Sequence, residues 1–209
     1  MTKERFGLYL IATRPAAGYE ALARAAVACQ VRYLQLRMKD APRETVRETA
    51  RLYRKLTRGT QTRFIVNDDP DIAMEADADG IHLGQGDLSI AEARLRWNSP
   101  GKIFGLSTHS MEQAHRAMEQ EPDYIGIGPV YPTRTKTDAD PALGPNEAGR
   151  IARDVPVTAA AIGGVNDSNL PALLEAGAEN FCVVGAVNAS ADPAAAIRAL
   201  QKIWQNHLF

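Results

Sequence analysis

Short apolar runs alternate with amphipathic stretches along the whole chain, and this alternation constrains the fold more than any other feature. The strand-like runs fall at 7–12 (GLYLIA), 33–37 (YLQLR), 63–67 (RFIVN), 80–83 (GIHL), 102–107 (KIFGLS), 124–128 (YIGIG), 157–163 (VTAAAIG) and 180–185 (NFCVVG). Helix-like segments follow them at about 18–29, 43–58, 70–77, 89–97, 110–120, 145–153, 168–176 and 193–206. Most of the strand runs are continuously apolar, the pattern of strands covered on both faces. Strict strand–helix alternation means parallel βα units. Eight of them predict an α/β protein with a closed (β/α)8 TIM barrel, although an open doubly wound sheet follows the same syntax. Glycine placement favours the barrel. The Gly-rich segments follow runs 6, 7 and 8, whereas a dinucleotide-binding sheet carries its fingerprint after strand 1. With 209 residues and no linker or low-complexity tract, the chain reads as one compact domain spanning 1–209.

Charge narrows the partners. A net charge of -1 gives no global field to draw in a nucleic-acid backbone or an anionic membrane surface. Any anion must be gripped by a local cluster, which points to small molecules. Cys29 and Cys182 follow no metal-ligand spacing and sit in apolar elements, where a thiol packs as a small hydrophobe. The apolar run at 8–11 is too short for a signal-peptide core, and no stretch is long enough to cross a bilayer. A reduced, cytoplasmic setting is the expectation.

A barrel of this type carries its functional side chains at the C-terminal ends of the strands and in the loops that follow. Run 2 ends in Gln35, Arg37 and Lys39, which share one parity and would bring an amide and two cations to the mouth. Run 3 ends in Asn67, Asp68, Asp69 and Pro70. One of these caps the next helix, and capping needs only one side chain. The loop after run 4 offers Asp87, which is either a cap or a carboxylate for the mouth. If the two loops converge, Asp68 and Asp87 suit Mg2+, which takes one or two carboxylates and completes its shell with water and substrate phosphates. Ser107 is a ligand donor or a cap for the helix near Ser110, and His109 beside it is a candidate acid–base group. His82, within run 4, reads as a satisfied structural histidine. Glycines after runs 7 and 8, Gly163, Gly164 and Gly185, would let backbone N–H groups approach a phosphate, or would merely ease tight turns. After run 6 comes the polar loop 131–138 (YPTRTKTD), which is too polar for a core.

The ordered set of motifs resembles the thiamine-phosphate synthase family. The resemblance rests on LYLI at 8–11, QLRMK at 35–39, FIVNDD at 64–69, ADGIHLGQGD at 78–87, GLSTH at 105–109, DYIGIGPVYPTRTK at 123–136, AIGGVN at 161–166 and VVGAV at 183–187. It implies a (β/α)8 enzyme that joins 4-amino-2-methyl-5-hydroxymethylpyrimidine diphosphate to a thiazole phosphate, giving thiamine monophosphate and diphosphate. Carried over residue by residue, Gln35, Arg37, Lys39, Asn67, Ser107 and Lys136 match the pyrimidine-diphosphate set. Asp68 and Asp87 match the Mg2+ ligands. Thr133, Arg134, Thr135, Gly164, Val184 and Gly185 match the thiazole-phosphate set. The implied chemistry is a dissociative substitution, with Arg37, Lys39, Lys136 and Ser107 assisting the leaving diphosphate and no protein nucleophile.

The chain departs from the family pattern at two places. Ala12 and Thr13 stand where the first strand usually ends in an acidic residue, and Gly185 stands where serine is common. A paralogous thiazole tautomerase shares the barrel, and His109 keeps it in view. A phosphate-binding barrel without turnover would explain the glycines but not the paired aspartates. Barrels of this type frequently form homodimers.

Overall fold

The apolar runs become eight short parallel strands, each followed by a helix, and helices cover the outside of the sheet. The computed structural model describes residues 3–133, 135 and 140–208. In chain order the elements are β1 (Leu8–Ala12), α1 (Tyr19–Ala28), β2 (Tyr33–Leu36), α2 (Arg43–Thr57), β3 (Arg63–Asn67), α3 (Pro70–Glu75), β4 (Gly80–Leu83), α4 (Ile90–Arg96), β5 (Ile103–Thr108) and α5 (Met111–Met118). Then follow β6 (Tyr124–Ile127), α6 (Pro145–Asp154), β7 (Thr158–Ala161), α7 (Leu170–Glu175), β8 (Phe181–Val183), α8 (Gly185–Asn188) and α9 (Pro193–His207). The strands pair in sequence order and β8 returns to β1, closing the barrel and excluding the open sheet.

Strand parity divides the core in two. Residues such as Leu10, Leu34, Val66, Ile81, Leu106 and Ile125 face the helices and build the larger core. Tyr9, Ile11, Tyr33, Ile65, Tyr124, Ala160 and Cys182 fill the barrel interior. Three tyrosines, Tyr9, Tyr33 and Tyr124, share this interior, and Tyr124 has its space because a glycine faces it. A Cβ on Gly105 would lie 2.1 Å from Cζ of Tyr124, so this position has no room for a side chain.

Capping residues set the helix starts. Asp69 accepts from the backbone N–H groups of Asp71 and Ile72 and caps α3, Ser89 and Glu92 form a reciprocal capping box on α4, and Ser110 caps α5. Neither Asp87 nor Ser107 is a cap, and both are left for the mouth.

One element lay outside the sequence expectation. A single turn of helix, α8, stands between β8 and the long α9, so Gly185 opens a helix rather than lying in a loop. Asn188 holds that turn over the barrel end: its Nδ2 donates to the carbonyls of Ile11 and Val184, and its Oδ1 accepts from the Thr13 N–H. Cys29 and Cys182 are free thiols, and burial pushes Cys182 well above its usual range, consistent with a packing role. Among the described residues no helix is long and apolar enough to cross a membrane.

Candidate active site

The C-terminal ends of the strands enclose a cavity of about 740 Å3, within the size range of small-molecule sites. Gln35, Arg37 and Lys39 reach it from β2, Asn67 and Asp68 from β3, Asp87 from the loop after β4, and Ser107 from β5. Thr133 and Thr135 reach it from the loop after β6, Gly164 from that after β7, and Val184 and Gly185 from the start of α8. Arg134 and Lys136 lie outside the described residues. The twelve other positions that match the family's substrate and metal sets all line one concavity.

Its acidic corner is built by two converging loops. With Asp69 committed to the α3 cap and to Arg43, Asp68 turns into the mouth with a left-handed backbone, φ 63°. Lys39 Nζ lies 3.0 Å from Asp68 Oδ2. Burial raises the Asp68 pKa above the usual carboxylate range, and the neighbouring Asp87 carboxylate adds to the rise against the opposing Lys39 charge. Asp87 is oriented by the Gly84 N–H, which donates to its Oδ2 at 2.6 Å. Two adjacent carboxylates repel until a cation lies between them, and a pair of oxygen donors beside an open cavity fits Mg2+. Among the described residues no cluster of three or more His, Cys, Asp or Glu side chains forms a closed metal site. A catalytic Mg2+ completed by substrate phosphates does not need one.

Opposite this corner the walls are glycine and small hydroxyl residues. Gly163 and Gly164 have φ values of 106° and 66°, and a Cβ on Gly164 would lie 2.6 Å from the Pro132 carbonyl oxygen. Glycine is therefore required here both by its backbone conformation and by the close approach of the β6 and β7 loops. That contact sets the loop carrying Thr133, whose Oγ1 accepts from the Thr135 N–H at 3.2 Å. Gly185 differs: nothing lies within 4 Å of a Cβ placed there.

The floor carries residues whose part the sequence did not reveal. His82 is satisfied at both ring nitrogens, as expected of a structural histidine, yet its Nε2 partner is the Ser107 hydroxyl at 2.9 Å. Burial pulls its pKa down to about 4, against a smaller opposing pull from Asp87, and keeps the ring neutral. Tyr9 and Tyr124 join the same floor. An inward-parity tyrosine reads in sequence as core, and only the closed register shows that its hydroxyl meets another strand's polar group. His109 lines the mouth with Nδ1 2.6 Å from the Gly128 carbonyl, so Nδ1 carries its proton.

Comparison with known proteins accords with this geometry. A thiamine-phosphate synthase from Methanospirillum hungatei is 40% identical over 195 residues, covering 92% of this chain and 94% of that protein. One from Geobacillus thermodenitrificans is 38% identical over 207 residues, covering 95% and 91%. The solved structure of thiamine phosphate pyrophosphorylase from Pyrococcus furiosus superposes with a TM-score of 0.85 at 32% identity, covering 98% of each chain. The family model described as thiamine monophosphate synthase matches residues 8–187, a span that contains all eight strands and every residue placed in the mouth. The chain belongs to the thiamine monophosphate synthase family.

Proposed function

We propose that the barrel mouth couples 4-amino-2-methyl-5-hydroxymethylpyrimidine diphosphate to a thiazole phosphate, yielding thiamine monophosphate and diphosphate. The observation that carries this reading is the division of one cavity into a cationic and acidic corner and a glycine–threonine wall, suited to two phosphorylated substrates held side by side.

On this reading Arg37, Lys39, Asn67, Ser107 and Lys136 hold the diphosphate, and Gln35 meets the pyrimidine. Asp68 and Asp87 hold Mg2+, which when bound neutralises charge on the diphosphate oxygens. Thr133, Arg134, Thr135, Gly164, Val184 and Gly185 hold the thiazole phosphate. The methylene C–O bond breaks with its electron pair leaving on the diphosphate, and the electron-rich aminopyrimidine ring supports the cationic methylene. The thiazole nitrogen then donates its lone pair to form the C–N bond. Arg37, Lys39 and Lys136 stabilise the charge that grows on the leaving group, and donors already fixed in place do this better than water, which must reorient. Holding both substrates in one cavity supplies the orientation. No protein nucleophile is needed.

The reading is tested by supplying both substrates with Mg2+ and measuring pyrophosphate. Release that needs both substrates and stops when a chelator removes the metal is the expected result. No release at saturating substrate overturns it. Isomerisation of the thiazole phosphate without the pyrimidine partner would instead identify a tautomerase.

A further inference from the structure

Below the mouth, five side chains from five strands hydrogen-bond in single file. Gln35 Nε2 lies 2.9 Å from Tyr9 Oη, Tyr9 Oη 2.8 Å from Tyr124 Oη, Tyr124 Oη 2.9 Å from His82 Nδ1, and His82 Nε2 2.9 Å from Ser107 Oγ. The two ends, Gln35 and Ser107, line the mouth. Tyr9 and Tyr124 are buried, and burial drives both phenols far above their usual range, so each keeps its hydrogen.

Each hydroxyl has one hydrogen to give and a neutral imidazole has one N–H. A single file of such groups has two self-consistent arrangements. In the first, the Gln35 amide N–H donates to Tyr9, Tyr9 to Tyr124 and Tyr124 to His82 Nδ1. The His82 Nε2–H then donates to Ser107. Gln35 is left showing its carbonyl oxygen to the cavity, and Ser107 its hydroxyl hydrogen. In the second, every bond reverses, so Gln35 shows its NH2 and Ser107 only lone pairs. A mixed arrangement either leaves one of the bonds without a hydrogen or makes one oxygen accept twice and leaves its own hydrogen without a partner in a buried site, which is costly.

We propose that Tyr9, Tyr124 and His82 are positioning residues that hold this relay in the first arrangement, and so make Gln35 an acceptor and Ser107 a donor toward the ligand. The inference rests on the coupling reading above, which supplies a ligand with an aromatic amine at one end and phosphate oxygens at the other. The amine donates and needs the Gln35 carbonyl, while the phosphate oxygen accepts and needs the Ser107 hydrogen. One arrangement meets both demands and the other meets neither. The relay thereby selects 4-aminopyrimidines over 4-oxopyrimidines through Tyr9 and Tyr124, which lie outside the cavity lining, and through His82 at its floor. Packing supports the same geometry: the His82 and Tyr124 rings stack with centroids 5.5 Å apart and planes 26° apart.

Tyr9→Phe and Tyr124→Phe keep the rings and delete one hydroxyl each. The first readout is kcat/KM for the 4-amino pyrimidine diphosphate divided by that for its 4-oxo analogue. Comparing variants cancels the lower intrinsic reactivity of the oxo ring. Tyr9→Phe frees the Gln35 amide to turn and donate to the oxo group, so selectivity should fall about tenfold or more. The second readout is the tautomer of His82 in 15N-histidine-labelled protein without ligands, its signals assigned by their loss in His82→Gln. The wild type and Tyr9→Phe should carry the proton on Nε2, and Tyr124→Phe should show a mixture of tautomers. Equal losses for both substrates in Tyr9→Phe, or a wild-type His82 protonated on Nδ1, would overturn the relay. The tautomer is read without turnover, so failure of the coupling reaction alone would count against the proposed function and not against the relay.

Discussion

At the scale of single residues, the mouth divides into positions whose chemistry is fixed by their neighbours and one that is not. Asp68 belongs to the first group: pressed between Lys39 and Asp87, it holds an unfavourable carboxylate pair that a divalent cation would relieve. Asp68→Asn removes one of those charges, so coupling at fixed Mg2+ should fall about 10²-fold, with a higher Mg2+ concentration at half activation. A steady-state Mg2+ titration reads both. Gly185 is the exception, since a Cβ there meets nothing and its place at the start of α8 faces the mouth. Gly185→Ser places a hydroxyl at this point of the rim. It should add one hydrogen bond to the thiazole phosphate, about 1 kcal/mol, lowering the KM for that substrate roughly fivefold with kcat unchanged. The positions of these residues were readable only through the ordered motifs at the strand ends, since taken singly Asp68 and Asp87 read equally as caps and the glycines as turns. Their partners were not legible. Asp69 rather than Asp68 as the α3 cap, and Ser89 rather than Asp87 as the α4 cap, are decided by a shift of one or two residues that spacing alone does not fix.

Elements were easier to read than their ends. β3 and β4 match the sequence expectation residue for residue, because Arg63, Asn67 and the Gly84 turn bound short apolar runs sharply. β7 is shorter than expected, Thr158–Ala161 rather than 157–163, since Gly163 has already turned to φ 106°. α8 escaped notice because four residues, Gly185–Asn188, are too few for a helical period to show, and it is pinned by the long-range bonds of Asn188 to β1. The interior of the barrel carries the clearest test of packing at this scale. Tyr124 occupies the space that a side chain on Gly105 would need. Gly105→Ala should therefore destabilise the fold by about 1–3 kcal/mol, seen as a lower Tm, and should weaken coupling as well by moving the Tyr124 hydroxyl from His82. Gly126→Ala is the matched control: its Cβ would meet the His82 ring at an ordinary 3.5 Å, so the loss of stability should be smaller.

At the scale of the whole molecule, closing the barrel is what turns scattered motifs into a site. Gln35 and Gly185 are 150 positions apart in sequence, and only the pairing of β8 with β1 brings them to one rim. The alternation of runs announced eight βα units, but the mouth's volume, the sharing of Asp68 and Asp87 between loops and the single file of hydrogen bonds beneath them depend on register. On the proposed function, this one cavity brings two phosphorylated substrates together for coupling. The most direct measurement is 31P NMR of a single reaction containing both substrates, Mg2+ and enzyme. It should show the diphosphate ester signals replaced by free pyrophosphate, in step one-to-one with a new phosphate monoester signal from the coupled product. Loss of the diphosphate ester without that new monoester, or persistence of both substrates, would contradict it.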